Sequence, residues 1–317
     1  MIEYSKYVKW QVNGMANVIA VIWDFDKTLV DGYMQDPIFR HYDVNSTEFW
    51  KEVQALPEKY MREQGVKTNK DTIYLNHFIN CAQPGGIFDG LNNKRLREYG
   101  KELKFYKGIP EIFDKTKNII ESNRVYKEYG ITLEHYIVST GFAETIKGSD
   151  VAKYVKYIWG CELIEKEVDG KNIIGEIGYT IDNTSKTRAI FEINKGIPDN
   201  PQIDVNAKMD KEIRRVQFEN MIYIADGPSD VPAFSLVNSS GGYTFAIYPQ
   251  NNNEAFRQVE KLRSDGRIDM YAQADYSEGT TAYMWITNAI ENCAEKICKK
   301  ERAKIEESTS GTPKHLI

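Results

Sequence analysis

The chain has 317 residues, of which 41% are hydrophobic and 27% are charged, and this composition is typical of a globular protein rather than a disordered one. A chain of this length can form one large domain with an insertion or two domains of ordinary size. The formal net charge is only −5, and the basic residues are mixed with acidic ones. We therefore expect no nucleic-acid partner.

Membrane and export signals are also missing from the sequence. The longest early apolar run, Val18–Trp23, is too short to cross a bilayer, so we expect no membrane partner. Residues 1–16 lack the apolar stretch of a secretory signal, and the four cysteines are too sparse for a disulfide framework. We expect a cytoplasmic protein with reduced thiols, and the sequence carries no signal for an oligomeric state.

The first predicted element is a strand. Val18–Trp23 is a continuous, mostly β-branched apolar run, which is typical of a strand buried on both faces of a parallel sheet. An acidic cluster at residues 24–31 follows it directly. From residue 32 to 106 the sequence becomes polar and helix-prone, and we predict helices there at 46–56, 58–64, 70–80 and 92–104.

Strands and helices alternate in the rest of the chain. A helix is predicted to end at Ser122, and a second buried strand at 136–138 leads into Ser139-Thr140-Gly141. The pair Asp169-Gly170 predicts the turn of a hairpin. Further elements are expected as helix 185–194, strands Met221–Ala225 and Tyr243–Tyr248, and helices 253–263 and 280–300, with a frayed polar tail from residue 301. This alternation predicts an α/β fold with a doubly wound parallel sheet.

Reactive side chains follow three of the predicted strands. In open parallel sheets, ligand sites form outside the carboxyl ends of the strands, so these side chains are expected to converge. One further candidate, Lys186, begins the predicted helix at 185–194. The groups that follow the strands are Asp24 and Asp26 in the first case, Ser139, Thr140 and Gly141 in the second, and Asp226 and Asp230 in the third.

Such a cluster of carboxylates is tolerable only if a cation neutralises it. Mg²⁺ is the expected cofactor, because it prefers oxygen ligands and leaves coordination positions for water and a substrate phosphate. A phosphate bound there needs positive charge and hydrogen-bond donors. Lys186, Ser139 and the helix N-terminus after Gly141 can supply them.

Two carboxylates at positions i and i+2 suit a two-step phosphoester hydrolysis. One carboxylate attacks phosphorus and forms an aspartyl-phosphate, and the other protonates the leaving alcohol and then activates water. We assign the first role to Asp24 and the second to Asp26. A D-x-D-x-T pattern alone is expected in about one chain in twenty of this length, so its placement after a buried strand, with the later residues in order, carries the argument.

With these residues in place, the sequence resembles the haloacid dehalogenase-like (HAD) superfamily, in its phosphoserine-phosphatase-like branch. The resemblance implies a Rossmannoid core formed by residues 1–31 and 107–317, with a mainly helical cap domain inserted at 32–106. It also implies that Ser139 and Lys186 bind phosphate. Mg²⁺ would be held by Asp24, the backbone carbonyl of Asp26, and Asp226, with Asp230 as a ligand or as support for one.

The resemblance favours a Mg²⁺-dependent phosphatase acting on a small phosphorylated metabolite, with a phosphoserine-like ester as the candidate substrate. The residue at position 26 argues against a dehalogenase, which does not protonate an alkoxide in this way. A phosphomutase or phosphotransferase of the same superfamily is the main alternative, and a non-catalytic phosphate-binding protein is a more distant one. For the phosphate-binding cation, Lys171 and Arg188 are alternatives to Lys186, and core packing is the expected role of the aromatic residues in 32–106.

Overall fold

The computed structural model describes residues 17–310, so the prediction made for residues 1–16 lies outside the described part of the chain. Within 17–310 the chain forms a seven-stranded sheet with the order β4-β3-β2-β1-β5-β6-β7. All neighbouring strands are parallel except β3 and β4, which form an antiparallel hairpin. The strands are β1 (Val18–Trp23), β2 (Thr132–Phe142), β3 (Tyr157–Val168), β4 (Lys171–Tyr179), β5 (Met221–Ala225), β6 (Tyr243–Tyr248) and β7 (Met270–Gln273).

The order of the strands confirms the doubly wound α/β fold. The chain proceeds from the central strand β1 outward through β2 and β3, and then crosses back to add β5, β6 and β7 on the other side of β1. This reversal leaves a crevice at the carboxyl end of β1, between β2 and β5. Every residue of β1 is buried, in agreement with its continuous apolar sequence.

Four α-helices lie in the segment 32–106, between β1 and β2, and the other seven described α-helices lie in 107–310. The first four are α1 (Asp36–His41), α2 (Ser46–Gln64), α3 (Ile73–Cys81) and α4 (Asn93–Gly100). The later helices are α5 (Glu111–Ser122), α6 (Arg124–Glu128), α7 (Ala143–Gly148), α8 (Ser185–Lys195), α9 (Val231–Ser239), α10 (Asn253–Ser264) and α11 (Thr281–Ser310). No helix in 17–310 combines the length and the apolar character that crossing a membrane requires.

The segment 32–106 contributes a cluster of aromatic residues to the hydrophobic core, as expected for most of its aromatic residues. Phe49, Phe78 and Phe88 are buried together, with the rings of Phe78 and Phe88 stacked at 4.9 Å. The segment also covers the outer edge of the sheet, because the Ile174 N–H of β4 donates to the Leu91 carbonyl at 2.9 Å. The helical segment and the hairpin therefore pack against each other.

Several predicted boundaries were wrong. The predicted break between 46–56 and 58–64 is absent, and α2 continues through Pro57, because Val53 and Leu56 anchor one face of the helix in the core. The short elements α1 and β7 were not predicted. The tail beyond residue 301 remains helical to Ser310, and Arg302 donates to the Tyr129 hydroxyl at 3.1 Å, a contact that lies too far away in the sequence to be foreseen.

Candidate active site

Asp24 lies where β1 ends, between the ends of β2 and β5. The register pairs Trp23 with Ile137 of β2 and with Ile224 of β5, and the Asp24 N–H donates to the Ile224 carbonyl at 2.9 Å. Ser139 and Asp226 each lie two residues beyond these partners. The parallel sheet therefore brings residues that are far apart in the sequence to one edge, as predicted.

Three carboxylates meet at this edge. Asp24, Asp226 and Asp230 each place one oxygen within 4.8 Å of the others. Asp24 and Asp230 are buried, whereas Asp226 is half-buried. Three hard oxygen donors at this separation fit Mg²⁺, and they are the side chains predicted to hold it. The Asp26 carboxylate is not a member of this cluster. The family resemblance implied only the backbone carbonyl of Asp26 as a metal ligand.

Lys186 is the cation that contacts this cluster. Its side chain is completely buried, and Nζ lies 2.7 Å from Asp24 Oδ1 and 2.6 Å from Asp230 Oδ1. The two alternatives point elsewhere: Lys171 is exposed at the start of β4, and Arg188 pairs with Glu192 at 2.9 Å. Burial alone would lower the pKa of Lys186, but the two carboxylates raise it, so the ammonium remains charged.

The carboxylates hold more negative charge than one lysine neutralises. Burial raises the pKa of Asp24 to about 6, against the opposing effect of Lys186. Burial, together with Asp24 and Asp230, raises the pKa of Asp226 to about 8. Both shifts express the cost of crowding buried negative charges, and a divalent cation would remove that cost.

Asp26 lies on a tight loop after β1. Its Oδ1 accepts a hydrogen bond from the Met34 N–H at 2.8 Å, and the loop is closed by the Leu29 N–H donating to the Phe25 carbonyl at 2.9 Å. Burial and the neighbouring Asp24 raise the pKa of Asp26 well above its ordinary value. A raised pKa suits a carboxyl group that donates a proton to a leaving group.

Ser139, Thr140 and Gly141 do not follow β2 as predicted but lie inside it, because the strand continues to Phe142. The pairing of β2 with β3 is irregular between Val138 and Phe142, and this irregularity accommodates the segment. Ser139 Oγ accepts from the Gly141 N–H at 3.1 Å, and the Thr140 carbonyl accepts from the Tyr74 hydroxyl of α3 at 2.6 Å. A Cβ atom at position 141 would collide with the end of the Met34 side chain, which would then have to move.

Two residues that support the carboxylates were not assigned from the sequence. Thr28 Oγ1 donates to Asp24 Oδ2 at 3.1 Å, and the Tyr223 hydroxyl donates to Asp230 Oδ1 at 2.6 Å. Thr28 is the last residue of the D-x-D-x-T pattern, which could have indicated its role. Tyr223 is the one residue with a polar group in the strand Met221–Ala225, and buried tyrosine hydroxyls generally find a partner.

Comparisons with known proteins place the chain among relatives of the same fold. No protein-family model matches it. It is 36% identical over 301 residues to an uncharacterized protein of Borreliella burgdorferi, and the match covers 90% of this chain and 99% of that protein. Its structure is similar to that of a HAD-family hydrolase from Salmonella enterica serovar Typhi, with a TM-score of 0.50 and 15% identity, over 86% of this chain and 74% of that one.

A phosphoserine phosphatase, solved as a phospho-aspartyl intermediate analogue, is also similar, with a TM-score of 0.48 and 17% identity over 82% of this chain and 95% of that one. The sequence match and the fold lead to one classification. The chain belongs to the same family as the Borreliella burgdorferi protein, and it has the HAD-like fold.

Proposed function

We propose that this protein is a Mg²⁺-dependent phosphatase that hydrolyses a small phosphomonoester through an aspartyl-phosphate at Asp24. The observation that supports this proposal most directly is the buried contact of Lys186 with Asp24 and Asp230, beside the carboxylate of Asp226. A cation next to a carboxylate that must approach an anionic phosphate reduces the repulsion between them.

In the first step an oxygen of Asp24 forms a bond to phosphorus while the ester P–O bond breaks. Asp26 gives its proton to the departing oxygen, so the alcohol leaves uncharged. Lys186 and Thr28 hold the two oxygens of Asp24 and fix its orientation. When bound by Asp24, Asp226 and Asp230, Mg²⁺ supplies positive charge that stabilises the transferring phosphoryl group.

In the second step Asp26 accepts a proton from water as the water oxygen bonds to phosphorus. The bond between phosphorus and Asp24 breaks, inorganic phosphate is released, and both carboxyl groups return to their starting states. We assign phosphate binding to Ser139, Thr140 and Gly141 together with Lys186. The buried Ser139 hydroxyl and the backbone around Gly141 lie on the strand next to Asp24.

We further propose that residues 32–106 form a cap domain over a core of 1–31 and 107–317, and that the enzyme acts in the cytoplasm on a phosphorylated metabolite. The hydrogen bond from Tyr74 of α3 to the Thr140 carbonyl supports this arrangement, because it joins the helical segment to the proposed phosphate site. A cap in this position would exclude water while the ester reacts.

The test is release of phosphate from p-nitrophenyl phosphate with and without Mg²⁺. Asp24→Asn should lower the rate by on the order of a thousandfold or more, because the amide is a poor nucleophile. Asp31→Asn is the matched control, since Asp31 is an exposed acidic residue on the same loop, and its rate should be unchanged. Retained turnover in Asp24→Asn would reject the nucleophile. Transfer of phosphate to an added alcohol instead of water would indicate the phosphotransferase.

A further inference from the structure

Lys27 is a second lysine at the proposed active site, and none of the roles described so far uses it. It follows Asp26 directly and is half-buried. Its Nζ lies 4.2 Å from the centre of the Tyr33 ring. Lysine carries a positive charge at neutral pH, and an ammonium over the face of a tyrosine ring is a favourable arrangement.

The backbone of Lys27 is in a conformation that lysine disfavours. Its φ is 55°, in the left-handed region, where a Cβ atom is crowded. Asparagine and aspartate tolerate this region best among residues with a side chain. The non-glycine residues with positive φ in 17–310 are Lys27, Asp43, Asp169 and Asn251. Lysine is the exception in this set, and a glycine at position 27 would be free of strain, so the side chain itself requires an explanation.

The two lysines of the site differ in what they contact. Lys186 is fully buried and saturated by two carboxylates at 2.6 and 2.7 Å. Lys27 forms no ion pair with any residue that the structure describes. Its ammonium instead lies against the face of the Tyr33 ring. A half-buried ammonium has three donors, so Lys27 retains donors and charge for an anion that is brought to the site.

The location of Lys27 decides which part of a substrate it meets. Lys27 Nζ lies over the ring of Tyr33, and the next residue, Met34, donates its N–H to the carboxylate of Asp26. Because Asp26 is the group proposed to protonate the leaving oxygen, we infer that Lys27 lies near the leaving-group end of the site. Tyr33 is 41% exposed, and its ring lies 6.4 Å from that of Trp50 in α2. Lys27 thus lies where the loop after β1 meets the helical segment.

We propose that Lys27 determines specificity by binding an anionic substituent, such as a carboxylate, on the leaving group of the phosphomonoester. This inference rests on the proposed phosphatase function and narrows its substrate class. Tyr33 holds the ammonium over its ring and so limits the number of positions that the long side chain occupies. A neutral leaving group would gain nothing from this cation, whereas a carboxylate would form a partly desolvated charge pair with it.

The experiment compares two esters of the same size, 2-phosphoglycolate and its carboxamide, 2-phosphoglycolamide. Lys27→Gln should lower kcat/KM for the carboxylate ester about tenfold more than for the amide, the ratio expected from loss of one charge-assisted contact. Lys27→Arg should keep most of the preference, because it keeps the charge, and added salt should weaken the preference of the unaltered enzyme. Lys51→Gln is the control, as Lys51 is an exposed lysine next to Trp50.

Equal losses of kcat/KM for both esters in Lys27→Gln would overturn the assignment of Lys27 and leave the proposed phosphatase intact. If the unaltered enzyme released phosphate from neither ester and also not from p-nitrophenyl phosphate, this result would overturn the proposed function and this inference with it. Lys27→Gly provides a second variant that removes the side chain and relieves the backbone, so a folding defect in Lys27→Gln does not prevent the comparison.

Discussion

Lys186 and Asp24 form an ion pair of 2.7 Å inside the protein, with 0% and 8% of their side chains exposed. The same ammonium lies 2.6 Å from Asp230 Oδ1, which also accepts a hydrogen bond from the Tyr223 hydroxyl. The proposed nucleophile is therefore held by a charge that is shielded from solvent. Because buried charges are costly without their partners, this contact has consequences for both stability and activity.

Lys186→Met should destabilise the protein strongly. Removing one partner of a buried ion pair typically costs about 3–5 kcal/mol, and here it leaves two carboxylates without their cation. Urea unfolding of the metal-free protein should therefore show a much lower free energy of unfolding, and the variant should be inactive on p-nitrophenyl phosphate. Lys171→Met changes an exposed lysine of β4 and should leave both quantities unchanged. An undiminished free energy of unfolding in Lys186→Met would contradict the pairing.

Mg²⁺ binding should release protons and become tighter as the pH rises. The pKa values of Asp24 and Asp226 are raised to about 6 and about 8, so near neutral pH the metal-free protein holds protons that the ion must displace. The raised pKa values also mean that the folded metal-free protein binds more protons than the unfolded chain in this pH range. Its free energy of unfolding should therefore fall as the pH rises. Calorimetry in two buffers of different ionisation enthalpy measures the release, and binding without it would refute the prediction.

Much of this site could be predicted from the sequence, because the rule that parallel strands end at one edge needs only the strands and their order. Asp24 and Asp226 follow two continuous apolar runs, and these runs became neighbouring strands. Other features depend on distances that no local pattern contains. Tyr223 was missed because its partner Asp230 approaches only after the chain turns, and the continuity of α2 at Pro57 depends on what the helix buries.

The same dependence on distant contacts explains why residues 139–141 were predicted to follow β2 although they lie inside it. Ser139 and Gly141 belong to β2 because the irregular pairing with β3 extends the strand, and β3 lies beyond the reach of any local signal. The left-handed backbone of Lys27 is likewise a property of the loop, since lysine alone would predict a different conformation. The types of chemical group were predictable, whereas their hydrogen-bond partners were not.

Asp182 should stabilise the helix that carries Lys186. Its Oδ1 accepts hydrogen bonds from the N–H groups of Thr184 and Ser185 at 3.0 and 2.7 Å, and its Oδ2 accepts one from Asn69 Nδ2 at 3.0 Å. Asp182→Ala should lower the free energy of unfolding by about 1 kcal/mol, because the N–H groups of Thr184 and Ser185 at the start of α8 lose their acceptor, and should also lower kcat by disturbing Lys186.

Denaturant unfolding and steady-state kinetics check both effects of the Asp182 change. Asp150→Ala removes an exposed aspartate elsewhere and serves as the control. Asn69→Ala removes the hydrogen bond to Asp182 and the one that Asn69 Oδ1 accepts from the Asp71 N–H, but it leaves the bonds of Asp182 to Thr184 and Ser185. It should therefore alter kcat less than Asp182→Ala. Activity and stability equal to those of the unaltered protein in Asp182→Ala would show that α8 does not depend on the hydrogen bonds that Asp182 accepts.

Glu134 should make the stability of the protein sensitive to acid. Burial alone would raise its pKa, but Arg215 at 2.6 Å and Lys156 at 2.7 Å lower it to about 2. A lowered carboxyl pKa stabilises the folded state above the unfolded pKa, and that contribution is lost as pH falls towards 2. Between about pH 6 and about pH 3 the unaltered protein should lose about 2 kcal/mol more than Glu134→Gln, measured by urea unfolding. Parallel losses would contradict this role.

The most direct test of the central claim is a crystal structure grown with Mg²⁺ and beryllium fluoride, a mimic of the phosphoryl group on a carboxylate. The account predicts beryllium bonded to an oxygen of Asp24, with Mg²⁺ between Asp24 and Asp226 and with Lys186 Nζ against a fluorine. A fluoride complex bound away from Asp24, or a metal ion remote from Asp226, would contradict it.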